Sequence, residues 1–210
     1  EQADRATRAW WLGLVGVALL LAGSGWYQVW AVPVYRYTDE QAHAGYVLEL
    51  QAGRLPTIDT PIDGAHGGWA LETRTKVDPR HKDVWVANNP PAAYVLAMGP
   101  AALTRALGIA GGPLIGLRLI NLACFVLATV LLARMASRLC GGDRRIGLIA
   151  AGLFAAIPHV ADIAGAGYCD GLAMLCSVAM IDVLVELLRR GPTRRQVIAL
   201  GLWAGVGAAT

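Results

Sequence analysis

The chain has 210 residues, of which 56% are hydrophobic and only 16% charged, with a mean hydropathy of +0.48. This balance excludes an ordinary soluble domain and places the chain among membrane proteins. The net charge of +3 does not imply nucleic acid, because the arginines concentrate in loops.

Ala9 to Val34 has no charged residue over 26 positions, which at ~1.5 Å per residue is enough helix to cross a hydrocarbon core of ~30 Å. A transmembrane helix is predicted. A cleaved signal peptide is the competing reading. However, the run is too long, and Trp26, Tyr27 and Trp30 at its end suit an interfacial belt better than a small-residue cleavage site. The sequence does not begin with Met, and its last uncharged run, Val197 to Thr210, spans 14 positions, so a fragment of a longer chain is expected. Cys124 and Cys176 lie in apolar runs, Cys140 in a basic loop and Cys169 near another loop. No C-x-x-C pair occurs, and all four read as small packing residues.

Loop charge sets the topology. Arg134 to Arg145 carries four Arg against Asp143, and Arg189 to Arg195 carries four Arg and no acid, so both loops should be cytoplasmic. Between them one out-and-back hairpin is expected, Ile146 to about Ala161 and about Gly171 to Leu188, with the tip "ADIAGAGYCDG" outside. Arg5 and Arg8 put the N-terminus inside as well, so the chain from Val34 to Arg134 must cross once. Ala92 to Thr104 is too short and is interrupted by Pro100, whereas Ile109 to Ala133 can span. The fold class expected is therefore all-α, a polytopic transmembrane bundle of at least five spans with a large first external loop. Residues 1–34 form the N-terminus and first span. Residues 35–112 form the external loop, with juxtamembrane helices at about 39–53 and 92–108. Residues 113–210 supply transmembrane helices two to five, the last one truncated.

The external loop holds 14 of the chain's 33 charged residues between Tyr35 and Asn89, and loops longer than ~15 residues are usually functional or disordered. Thr38 with Gln41 makes a capping box, Gly53 a stop, and Ala42, Tyr46, Val47 and Leu50 a stripe to lie on lipid or neighbouring spans. Asp39 and Glu40 occupy the first turn of that helix, where free N–H groups and the helix dipole favour acids. Helix-end electrostatics explains them as readily as chemistry does. His43, one turn on, reads as a solvated histidine or as half of a metal pair, and two ligands do not make a site.

In "WVANNPPAAYVLAMG" the prolines fix an extended entry and a helix start. Asn88 and Asn89 offer amide donors there, and Tyr94 sits one turn in. Arg118, where the second span meets the outer interface, is either a snorkelling anchor or a phosphate-binding cation. Asp162 and Asp170 flank the hairpin tip, and acids at membrane depth are costly without water, a cation or a ligand. Asp182, Glu186 and Arg190 follow one another at i, i+4 and read as a cytoplasmic ion-pair ladder.

The order of these features resembles the GT-C superfamily of membrane glycosyltransferases. They run from an Asp-Glu after the first span through "GRLP", a double-Pro helix with Tyr, and an Arg at the head of the second span, to Pro158 with Asp170 twelve positions on. The branch containing protein O-mannosyltransferases and aminoarabinose lipid A transferases is the nearest in pattern, and the resemblance covers the N-terminal part of such enzymes. It implies a polyprenyl-phosphate-sugar donor and inverting transfer at the outer face. Asp39 matches the catalytic acid, Glu40 its neighbour, Asp170 the second acid, and Arg118 the arginine near the donor phosphate. With them, Asn88, Asn89, Tyr94, His43 and Asp162 are the candidate substrate-binding residues. Asn89 stands where relatives often have His or Lys, and Tyr168 and Cys169 replace an Arg-containing approach to the second acid.

The partners implied are the lipid-linked donor and membrane lipids, with other membrane subunits left open. No cofactor is assigned and no metal site is predicted, although outer-loop acids could hold a divalent cation. The richness in Ala, Gly and Arg suggests a bacterial plasma membrane, with the active face periplasmic or extracellular. Two other classes compete: a non-catalytic GT-C-like subunit that binds a lipid or protein partner, and a transporter with Asp162 and Asp170 as ion sites. No internal repeat supports the transporter.

Overall fold

The computed structural model describes residues 2–37, 39–62 and 83–210. Among these residues the chain is all-α, with eight helices: α1 (Gln2–Ala31), α2 (Glu40–Gln51), α3 (Ala92–Ala106), α4 (Gly112–Leu139), α5 (Arg144–Ala155), α6 (Pro158–Ala164), α7 (Asp170–Arg190) and α8 (Arg194–Ala208). A 3-10 turn at Trp85–Asn88 leads into α3. Three helices are long and apolar enough to cross a membrane: α1 from Ala6, α4 and α7. The bent pair α5 and α6 makes a fourth if it is taken as one span. The fifth span of the expectation, given as truncated, corresponds to α8, which has 15 residues and ~22 Å of helix.

The central element is α4, which packs against α1, α2, α3, α5, α6 and α7. Large apolar side chains such as Leu12, Leu19, Leu153 and Leu188 face outward on α1, α5 and α7, as they can where the solvent is hydrocarbon.

The first arm of the expected hairpin does not run unbroken to Ala161. It stops at Ala155, and α6 leaves at 72°. Pro158 is the cause: its ring clashes with the carbonyl one turn back and its nitrogen has no proton, while Ile157 before it is extended (φ −73°, ψ 115°). The result carries α6 across the end of the bundle and turns its last residues toward α4.

The α3–α4 hairpin is tight because Gly116 has no side chain; a Cβ there would overlap the backbone of Ala101 and Pro100. The Thr104 hydroxyl closes the hairpin by donating to the carbonyl of Gly112. Residues 40–49 of α2 are all buried, so of the two surfaces its stripe could lie on, the helix takes neighbouring helices rather than open lipid. Ile62, Val84 and Val86 cover the face that lipid or water would otherwise meet, in one cluster with Tyr46, Val47, Tyr94 and Leu117. Asp39 takes the N-cap position of α2, and Gly53 follows the helix at φ 74°. Thr38, the expected first member of the capping box, lies outside the described residues.

Candidate functional site: a two-aspartate cavity at one end of the bundle

Arg118 and Asn121 are three residues apart on α4, so both project from one helical face. They organise two separate segments. The Arg118 guanidinium donates through Nε to Glu40 Oε1 (2.7 Å) and through Nη2 to Glu40 Oε2 (2.7 Å). Its other three N–H groups go to the carbonyls of Val29 (2.9 Å), Val32 (2.8 Å) and Pro33 (3.1 Å). Those carbonyls lie at and just beyond the end of α1, where helix carbonyls have no partner of their own, and Pro33 cannot continue the helix. Glu40 Oε1 also accepts the N–H of Gly167 at 2.9 Å. One buried pair thus ties together the end of α1, the start of α2, α4 and the α6–α7 connection.

Asn121 holds the other side of that connection. Its Nδ2 donates to the carbonyls of Ile163 (2.7 Å), Ala166 (3.0 Å) and, weakly, Ala164 (3.4 Å). Its Oδ1 accepts the N–H of Gly171 at 2.7 Å, so one carboxamide caps both the end of α6 and the beginning of α7. Gly171 must be glycine for this approach, since a Cβ would meet the Asn121 side chain and backbone.

The two clamps place residues far apart in sequence around one cavity of about 320 Å³, lined by Asp39, His43, Asn89 and Asp170 together with Trp85, Val86, Tyr168 and Cys169. The Asp39 carboxylate sits at the N-cap of α2, at the positive end of the helix dipole, and makes no cap hydrogen bond to its own helix. Behind the cavity runs a polar chain. Asn89 Nδ2 donates to the Tyr94 hydroxyl (3.2 Å), which lies 2.8 Å from His43 Nδ1. Read in one direction, the Tyr94 O–H donates to Nδ1 and the proton of a neutral imidazole sits on Nε2.

Burial pushes the His43 pKa down to about 4, so neutrality is the stable state. The imidazole also stacks on Tyr94 (5.7 Å between centroids) and tilts against Tyr168 (5.4 Å). Burial raises the Tyr94 and Tyr168 phenols, and the charge of Asp39 adds to the shift at Tyr168, so both remain protonated donors. Burial and the charge of Asp170 likewise raise the Cys169 thiol.

Of the sequence candidates, Asp39, His43, Asn89 and Asp170 meet in the cavity, and Tyr94 supports it from behind. Four others do not line it. Glu40 and Arg118 have fully buried side chains and are spent on each other. Arg118 therefore keeps no N–H for a donor phosphate. Asn88 is exposed and does not line the cavity. Asp162 accepts from Gln28 of α1 at 2.7 Å and does not line the cavity. The solvated reading of His43 is also overturned, as it is 5% exposed. Among the described residues no group of three or more His, Cys, Asp or Glu side chains is arranged to hold a metal ion. Sequence reading missed Asn121 and gave Trp85 no role. An Asn inside an apolar run, three residues from a buried Arg, was the available signal for the first.

Residues 91–210 match the family model described as dolichyl-phosphate-mannose-protein mannosyltransferase. The match takes in α3 to α8, with Arg118, Asn121 and Asp170, and begins after Asp39. Comparisons with curated proteins and with solved structures gave no match.

Proposed function

The chain belongs to this family of GT-C-type membrane glycosyltransferases, matched over more than half its length, and on that premise we propose that it transfers a sugar from a polyprenyl-phosphate donor, with inversion. Asp39 is the base. It accepts the proton of an acceptor hydroxyl or amine as that group attacks the sugar C1, and the C1–O bond to phosphate breaks with its electron pair leaving on the phosphate oxygen. Asp170, in the same cavity, orients the acceptor or the sugar hydroxyls. Trp85 and Tyr168 offer ring faces to the sugar.

The observation that carries this reading is the meeting of Asp39 and Asp170 in one cavity at the end of the bundle away from the arginine-rich turns. The positive-inside argument makes that end the outer face of the membrane, a bacterial plasma membrane in the reading proposed here. Arg118 enters as a positioning residue: it aligns Glu40, and so Asp39, with the α6–α7 connection. Asn89 gives its amide N–H groups to the Tyr94 hydroxyl (3.2 Å) and the Cys169 sulfur (3.8 Å), so its part is to order that wall of the cavity.

Asp39→Asn tests the proposal directly. Asn is as good an N-cap as Asp and no cap bond is lost, so folding should be unchanged while transfer from a polyprenyl-phosphate hexose, mannose first, falls by about 10²- to 10⁴-fold. Wild-type turnover by the variant would remove the base from the scheme. The sealing of Arg118 favours one alternative, a non-catalytic GT-C-like subunit that binds a lipid-linked ligand or a protein. In that case wild-type protein and Asp39→Asn should bind the donor equally and neither should transfer it.

A further inference from the structure

A second cavity, of about 470 Å³, opens at the other end of the bundle between α1 and α5. Its polar lining comes from Trp10, Asp143, Arg144 and Arg145, and Leu148 forms part of its floor. The parts are held in place. The Trp10 indole N–H donates to the Arg144 carbonyl at 3.1 Å, and the Arg144 guanidinium carbon lies 5.6 Å from the centre of the Trp10 ring. Arg144 Nη1 is fixed by the Thr7 hydroxyl at 2.7 Å. The Asp143 carboxylate, the one acid in the lining, is turned to its own helix and accepts the N–H of Arg145 at 2.8 Å. Two guanidinium groups and the positive end of α5 therefore face one acid that is already committed.

Below the cavity the chemistry changes. Leu20 on α1, on the helix face that carries Ala6 and Ala9 of the lining, and Ile149 on α5 are exposed as the two helices run toward the site end. A cationic cradle with an indole, opening toward apolar helix surface, matches an amphiphile with a negative head and hydrocarbon tails.

We propose that this α1–α5 groove binds a single anionic phospholipid, its phosphate against Arg144 and Arg145 and its acyl chains along the exposed faces of α1 and α5. The site is separate from the two-aspartate cavity and does not depend on the transfer reaction. The lipid acts as a staple between the first helix and the α4–α5 turn, at the level where the membrane presents its head groups.

Native mass spectrometry of the intact chain in detergent, titrated with phosphatidylglycerol or with phosphatidylcholine of the same acyl chains, tests it. Phosphatidylglycerol should bind at least tenfold tighter. With about fivefold per Arg near an anionic head group, Arg144→Gln with Arg145→Gln should weaken it about twentyfold and leave phosphatidylcholine unchanged. Arg194→Gln with Arg195→Gln removes the same charge from the start of α8 and should change it less than twofold. Equal binding of the two lipids, equal losses in the two double variants, or displacement of the lipid by millimolar inorganic phosphate would each overturn the proposal. Should the first double variant fail to fold, Arg145→Gln alone, which leaves the Arg144 contacts to Trp10 and Thr7 in place, should weaken phosphatidylglycerol binding about fivefold. A change of less than twofold in Arg145→Gln also overturns the proposal.

Discussion

Both ends of α4 carry guanidinium–carboxylate clusters, and they differ in nearly every physical respect. At the site end the Arg118 and Glu40 side chains are both 0% exposed, and five donors meet five acceptors drawn from two segments of chain. At the basic end Asp182 of α7 pairs with Arg134 and Arg138, whose side chains are 50% and 33% exposed. Glu186 then joins Arg138 (3.6 Å) and Arg190 (2.9 Å), the last of these 77% exposed. The arginines of the basic cluster can exchange partners with water at little cost, although the Asp182 carboxylate they share is buried. The sealed one cannot, so it fixes where the chain must pass, and the cavity inherits that precision.

The sharpest way to break the comparison is to remove one guanidinium from each end. Arg118→Met leaves Glu40 buried and uncompensated and should cost about 3–5 kcal/mol, whereas Arg134→Met, whose carboxylate keeps Arg138, should cost about 1 kcal/mol or less. Thermal unfolding in detergent reads both. Adding Glu40→Leu to Arg118→Met should restore much of the stability but not the transfer activity, because Gly167 and the end of α1 remain unheld. If the two single variants melt together, the sealed pair has no special standing.

Next in size is a pH effect confined to the site end. His43 is neutral in the folded protein down to about pH 4, whereas in the unfolded chain it titrates near 6.5. Above 6.5 the group is neutral in both states and its stability contribution is fully present. As pH falls from 6.5 toward 4, the unfolded chain takes up a proton that the folded one refuses. About 3 kcal/mol is lost across that window, as an upper bound, and the loss stops growing below it. His43→Gln should flatten that part of the stability curve. A wild-type slope that persists in the variant would assign the effect to other groups.

Much of this was legible in the sequence. The apolar runs gave α1, α4 and α7, the prolines at 90 and 91 placed the start of α3, and the order of acids brought Asp39 and Asp170 to one end of the bundle. What could not be read was which charged residue faces the cavity and which lies beneath it. Asp39 and Glu40 are neighbours with identical local signals, and only the packing of α4 decides that one is open and the other sealed. The ladder expected along α7 failed for a related reason. Glu186 and Arg190 do pair one turn apart, but Asp182 turns across to α4. A span from Ile146 to about Ala161 passes straight through Pro158, because periodicity carries no information about a 72° bend.

Asn121 belongs between the two extremes, being buried and neutral. Asn121→Ala removes a carboxamide that satisfies carbonyls of Ile163 and Ala166 and the N–H of Gly171, and should cost about 1–3 kcal/mol. If the clamp positions Asp170 rather than only supporting the fold, the Michaelis constant for the acceptor should rise more than the turnover number falls. Equal changes in both would reduce Asn121 to scaffold.

The smallest effect is expected at Arg190, and it completes the contrast. Its bond to Glu186 is an i, i+4 pair on the last turn of α7, where the helix dipole also favours a cation. Glu186 retains Arg138 as a second partner, and the Arg190 guanidinium is largely in solvent, so Arg190→Gln should change stability by only about 0.3–0.5 kcal/mol. The difference should shrink further at 1 M salt, where the screening length falls to about 3 Å. The effect of Arg118→Met should be insensitive to the same salt, since no ion reaches a pair whose side chains have no exposed surface. A salt response of equal size at both ends would mean that water enters the Glu40–Arg118 pair, and the cavity above it would lose its fixed floor.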